Sequence, residues 1–80
     1  MAVVIQQVKP GSFAQLAGIQ EGERLIAING HEIVDVLDYR FYETDSRLTI
    51  LVADACGAER EVQIRKGQYE SLGLEFETYL

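Results

Sequence analysis

Residues 10–30 dictate turn, short helix, turn, strand and tight turn in that order, and no other stretch of the chain restricts its fold as strongly. Pro10-Gly11 interrupts the first apolar run, and Ser12 can accept a backbone N–H that has no partner inside the helix that follows. Phe13, Leu16 and Ala17 recur at i, i+3 and i+4, which predicts one stripe facing a core while Gln15 faces water. Gly18 ends this helix by tolerating positive φ, and Gly22 can do the same in the next turn. Leu25, Ile26, Ala27 and Ile28 then read as a buried strand. Asn29-Gly30 is a primed-turn dipeptide that sends the chain back through Glu32-Ile33-Val34.

The remaining segments read as further short elements. Residues 2–8 form a strand in which Val4 and Val8 bracket Gln6-Gln7. Asp35 caps a helix over 36–43, and Asp38 in its first turn matches the positive end of the helix dipole. Leu37 and Phe41 are i, i+4 neighbours on one face of it. Leu48, Ile50 and Val52 alternate with Thr49, Leu51 and Ala53, turn at Cys56-Gly57 and return through 61–65 as a hairpin. A polar loop over 66–71 leads to a last strand over 74–78. The outline is a mainly β chain with two short helices (α+β), five or six strands forming a partly open β-barrel. With no linker or repeat, residues 1–80 are expected to be one domain.

Eighty residues suit a single modest core and leave no room for a second catalytic lobe. With 13 acidic against 7 basic residues the net charge is -6, which disfavours nucleic acid as a partner because phosphate binding needs a basic face. Arg60, Arg65 and Lys66 come nearest to clustering, but Glu59 and Glu61 interleave with them, as on a solvated strand face. No apolar run approaches the roughly 20 residues that span a bilayer, so no membrane partner is expected. Met1 leads straight into Ala2-Val3-Val4-Ile5 without a basic segment, and Cys56 has no second cysteine to pair with. Both features lead to the expectation of a cytoplasmic location. His31 lacks a second His or Cys at ligand spacing, so no metal site is read. Neither a nucleophile set nor paired carboxylates stand in a recognisable frame, so no catalytic residue is assigned.

The run over 10–30, taken with Leu72-Gly73-Leu74-Glu75-Phe76, resembles a PDZ domain. The second stretch is similar to the loop and strand with which such domains grip a peptide carboxylate. Here it comes last in the chain, which implies a circularly permuted strand order. More specifically, the chain resembles the N-terminal domain of a bacterial family of iron–sulfur, radical-SAM-type proteins of unassigned function. Pro10-Gly11-Ser12, Gly22-Glu23-Arg24-Leu25, Ile28-Asn29-Gly30 and Leu72-Gly73-Leu74-Glu75-Phe76-Glu77 carry that resemblance. Asp35-Val36-Leu37-Asp38-Tyr39-Arg40-Phe41 discriminates it from other PDZ domains. The resemblance implies a domain excised from a longer parent. The parent's cysteine-rich region would hold an iron–sulfur cluster and S-adenosylmethionine, with no cofactor in this chain.

What the resemblance implies for function is a non-catalytic module that binds an extended peptide or a C-terminal carboxylate by adding it as a strand. Backbone N–H groups of Leu72, Gly73 and Leu74 would converge on the carboxylate, with Gly73 permitting close approach. Leu74, Phe76, Leu37 and Phe41 would line the pocket for the last side chain, and Glu75 and Asp38 would favour a basic ligand residue. Asp35 or Val36 stands where many PDZ domains place a histidine, so a hydroxyl in the ligand is not selected. Two alternatives accompany this reading. One is a degenerate groove, with Ser71 in place of the usual glycine, that docks within its own parent. The other is self-association through the apolar chain end at Leu80.

Overall fold

A computed structural model describes residues 3–68 and 70–76, so residues 1–2, where the expected first strand begins, Tyr69, and residues 77–80, including Leu80 and the end of the expected last strand, lie outside the described residues. Among the described residues six strands and two helices follow in chain order: β1 (Val3–Val8), α1 (Phe13–Leu16), β2 (Arg24–Ile28), β3 (His31–Glu32), α2 (Val36–Tyr42), β4 (Arg47–Ala53), β5 (Glu59–Arg65) and β6 (Leu74–Phe76). All pairings are antiparallel. The sheet runs β5-β4-β2-β1-β6, with β3 attached to β2, and it does not close. The mainly β, α+β architecture expected from the sequence is therefore present.

Local chemistry explains most of these elements. Asn29 (φ 51°) and Gly30 (φ 81°) both adopt positive φ and make the primed turn between β2 and β3. Asn29 also pins that turn to β4, since its Oδ1 accepts from the Thr49 N–H at 2.8 Å and its Nδ2 donates to the Arg47 carbonyl at 3.1 Å. Asp35 and Asp38 form a reciprocal capping box at the start of α2. The Asp38 N–H donates to Asp35 Oδ1 at 3.0 Å, and Asp38 Oδ2 accepts from the Val34 and Asp35 N–H groups. In β4 the alternation expected of Leu48, Ile50 and Val52 holds, and all three are buried. They meet Ile5, Leu25, Ile28, Ile33 and Leu72 in one core.

In β1 the residue that enters the core is Ile5, while Val4 is exposed. Two expectations are corrected. Leu16 is 79 % exposed while Ala14 is wholly buried; a helix of four residues makes barely one turn, too little for a stripe at i, i+3, i+4 to settle its phase. Arg60 and Lys66 do not simply decorate a solvated face. Lys66 is buried, and Arg60 reaches across the sheet to the buried Glu23. No helix among the described residues is long and apolar enough to cross a membrane.

Candidate functional site

The loop ahead of β6 takes its shape from Gly73, whose φ of 92° lies in the region that favours glycine. Its carbonyls are tied down on one side: the Ala14 N–H donates to the Leu72 carbonyl at 3.0 Å, and the Lys9 N–H donates to the Gly73 carbonyl at 2.9 Å. Leu72 is fully buried and Leu74 nearly so, which anchors the loop in the core. From there β6 runs antiparallel to β1, with Leu74 facing Val8 and Phe76 facing Ile5. Among the described residues no strand pairs with its other edge.

Beside that edge lies α2, and the helix turns Tyr39 and Glu43 towards it. The Tyr39 ring packs edge-to-face on Phe76, 4.7 Å between centroids. Glu43, at the C-cap, accepts the Leu72 N–H on its Oε1 at 3.1 Å. A carboxylate at a helix C-terminus faces the wrong end of the dipole, and the Leu72 N–H offsets that disadvantage. The Gly73 N–H in turn donates to Ser71 Oγ at 3.1 Å. Two of the three N–H groups expected to receive a ligand carboxylate are thus held by side chains of the chain itself.

The remaining residues expected at the site fall in different places. Glu75 is exposed and makes a surface ion pair with Lys9 at 3.8 Å, a contact worth at most about 1 kcal/mol. The Asp38 carboxylate is committed to the cap of α2. Leu37 and Phe41 are both exposed, and Phe41 lines a shallow depression with Asn29, His31 and Tyr42 at the β2–β3 turn. At 100° per residue, the pair 39 and 43 lies about 200° around the helix from the pair 37 and 41, so the two cannot share a face. The sequence does not single out Tyr39 and Glu43, because both pairs have i, i+4 spacing and the choice between them is made by a strand more than thirty positions further along the chain.

Tyr39 carries a further peculiarity. It is 3 % exposed, and its hydroxyl has no hydrogen-bond partner, although Glu43, Ser71 and the backbone of Leu74 surround it. Burial, and then the charge of Glu43, hold its proton well above the ordinary phenol value of 10.0. The folded form resists deprotonation more than the unfolded chain does. The associated stability is therefore complete below pH 10.0 and is lost progressively as pH rises beyond it. Tyr39→Phe is expected to be neutral or stabilising by up to about 1 kcal/mol at pH 7, since it removes an unsatisfied buried group, and to flatten the fall of stability above pH 10. Urea unfolding of both forms between pH 7 and 11 checks this; an unchanged alkaline slope in the variant would contradict it.

The described residues thus form an open antiparallel sheet with two short helices, in which a glycine-bent loop feeds an edge strand beside one of the helices. The chain belongs to the PDZ domain family, whose sequence pattern matches residues 4–54, more than half of its length. That match covers β1 to β4 and ends before β5, the glycine loop and β6. No curated protein matches the chain. PDZ domains are protein-interaction modules and typically carry no catalytic activity.

Proposed function

We propose that this PDZ domain binds an extended peptide by β-augmentation at the outer edge of β6, beside α2. The observation that carries this reading is the contrast between the two ends of the sheet. At one end β5 presents Glu59, Arg60, Glu61 and Arg65, charges that discourage strand addition. At the other, β6 offers Leu74, Glu75 and Phe76 with an edge that no described strand covers. Main-chain hydrogen bonds along 74–76 would supply affinity, and the half-buried Phe76 would select side chains.

The test is a titration of the isotope-labelled domain with a mixed-sequence heptapeptide library, followed by amide chemical shifts. Changes along 72–76 and over α2 are the expected result. A folded monomer that shows none there, or shows them along β5 instead, refutes the reading.

A second reading has one specific observation in its favour. Because side chains of the domain already hold the Leu72 and Gly73 N–H groups, the groove suits a docking role inside a longer parent of the iron–sulfur, radical-SAM type. In that case the cluster and S-adenosylmethionine belong to the parent, and the added strand is a segment of the same protein.

A further inference from the structure

The loop before β6 is built like a carboxylate receptor, yet it already contains a carboxylate. Glu43 Oε1 takes the Leu72 N–H at 3.1 Å, Ser71 Oγ takes the Gly73 N–H at 3.1 Å, and the backbone of Leu74 lies against the Tyr39 hydroxyl. Resting on the β-augmentation reading, we infer that Glu43 stands in for the terminal carboxylate of a ligand, so that the β6 edge accepts an internal extended segment of a partner and rejects a free chain end.

Three observations support this. The charge is of the wrong sign for a second anion, since two carboxylates sharing one site disfavour each other strongly when water is scarce. The position is built rather than accidental: Glu43 is fixed at the C-cap of α2 by its N–H to the Tyr39 carbonyl at 2.9 Å, and it is half-buried. The buried Tyr39 hydroxyl lies beside Glu43, Ser71 and the backbone of Leu74, where it fills space that a ligand's end group would need. An internal segment brings no terminal charge. Its amides can pair along β6 and continue past the loop, leaving the Glu43 bond intact.

The test compares the wild-type domain with Glu43→Ala and Glu43→Gln, each titrated with the same mixed-sequence heptapeptide library as free acids and as C-terminal amides. The wild type is expected to bind the amides at least as well as the acids. Glu43→Ala should gain tenfold or more for the acids while changing less than threefold for the amides. Glu43→Gln keeps an acceptor oxygen without the charge, should fall between, and serves where the alanine variant does not fold. A wild type that prefers the acids, or an alanine variant that gains nothing for them, overturns the inference and leaves β-augmentation standing. If neither library binds any variant, β-augmentation falls, and an acetate titration read at the Leu72 amide decides the rest. A saturable shift in Glu43→Ala and none in the wild type supports a pre-filled loop; equal responses overturn it.

Discussion

Gly73→Ala is expected to destabilise the domain by about 3 kcal/mol, a large share of the 5–15 kcal/mol that holds a small domain together. Two costs combine. A non-glycine residue at φ 92° carries backbone strain of about 1–3 kcal/mol. The new Cβ would also lie 2.3 Å from Ser12 Cβ and 2.7 Å from Ser12 Oγ. Ser12 cannot easily move aside, because its Oγ accepts the Gln15 N–H and caps α1, an interaction worth about 1 kcal/mol. Gly22 is the natural control: its φ is 88°, but a Cβ there meets nothing within 4 Å, so Gly22→Ala should show the strain alone. Urea unfolding of the two variants separates the effects. A Gly73→Ala protein no less stable than Gly22→Ala would show that the contact with Ser12 is unimportant. Whatever ligand the loop meets, Gly73 also lets Ser12 and Lys9 approach the loop closely.

What could be read in advance was set by how far apart the deciding residues lie. The Asn29-Gly30 turn and the Asp35 cap are local, each complete within four residues, and both form as their residue types require. The alternation of β4 is long enough, at seven residues, to fix its own face. By contrast α1 has four residues, and neighbours rather than periodicity choose Ala14 over Leu16. The phase of α2 is chosen by β6, which packs Phe76 on Tyr39, and β6 is itself placed by β1 at the other end of the chain. The site was legible to the same extent. Leu72, Gly73, Leu74 and Phe76 do form the loop and the edge strand, whereas Glu43 meets Leu72 across 29 positions, and no local pattern announces that contact.

The same distance hid the ion pair between Glu23 and Arg60, 37 positions apart, and its removal is the second large effect expected. Arg60 grips Glu23 in bidentate fashion, Nη1 to Oε2 and Nη2 to Oε1, and Nη2 also donates to the Gly18 carbonyl at 2.8 Å. The Glu23 side chain is 7 % exposed and takes the Gln20 N–H at 2.7 Å, so the pair joins β5 to the glycine turns ahead of β2. Breaking a fully buried pair costs roughly 3–5 kcal/mol; because the Arg60 side chain is 42 % exposed and water can partly replace it, Arg60→Ala should cost about 2 kcal/mol at pH 7. Arg60→Lys keeps the charge without the fork and should fall between. The pH dependence has a definite sign. The hydrogen bond from Arg60, more than any other cause, holds the Glu23 carboxyl below its ordinary value of 4.5. The stability it contributes is therefore present above pH 4.5 and disappears as pH falls through the lower folded value. In Arg60→Ala the buried carboxylate has lost that partner, and protonation relieves it. The gap between wild type and variant should thus be widest near neutrality and narrow on acidification, as urea midpoints from pH 7 down to 3 would record. A gap that stays constant across that range would mean that Arg60 stabilises the fold by packing and its bond to Gly18, with little contribution from the charge of Glu23.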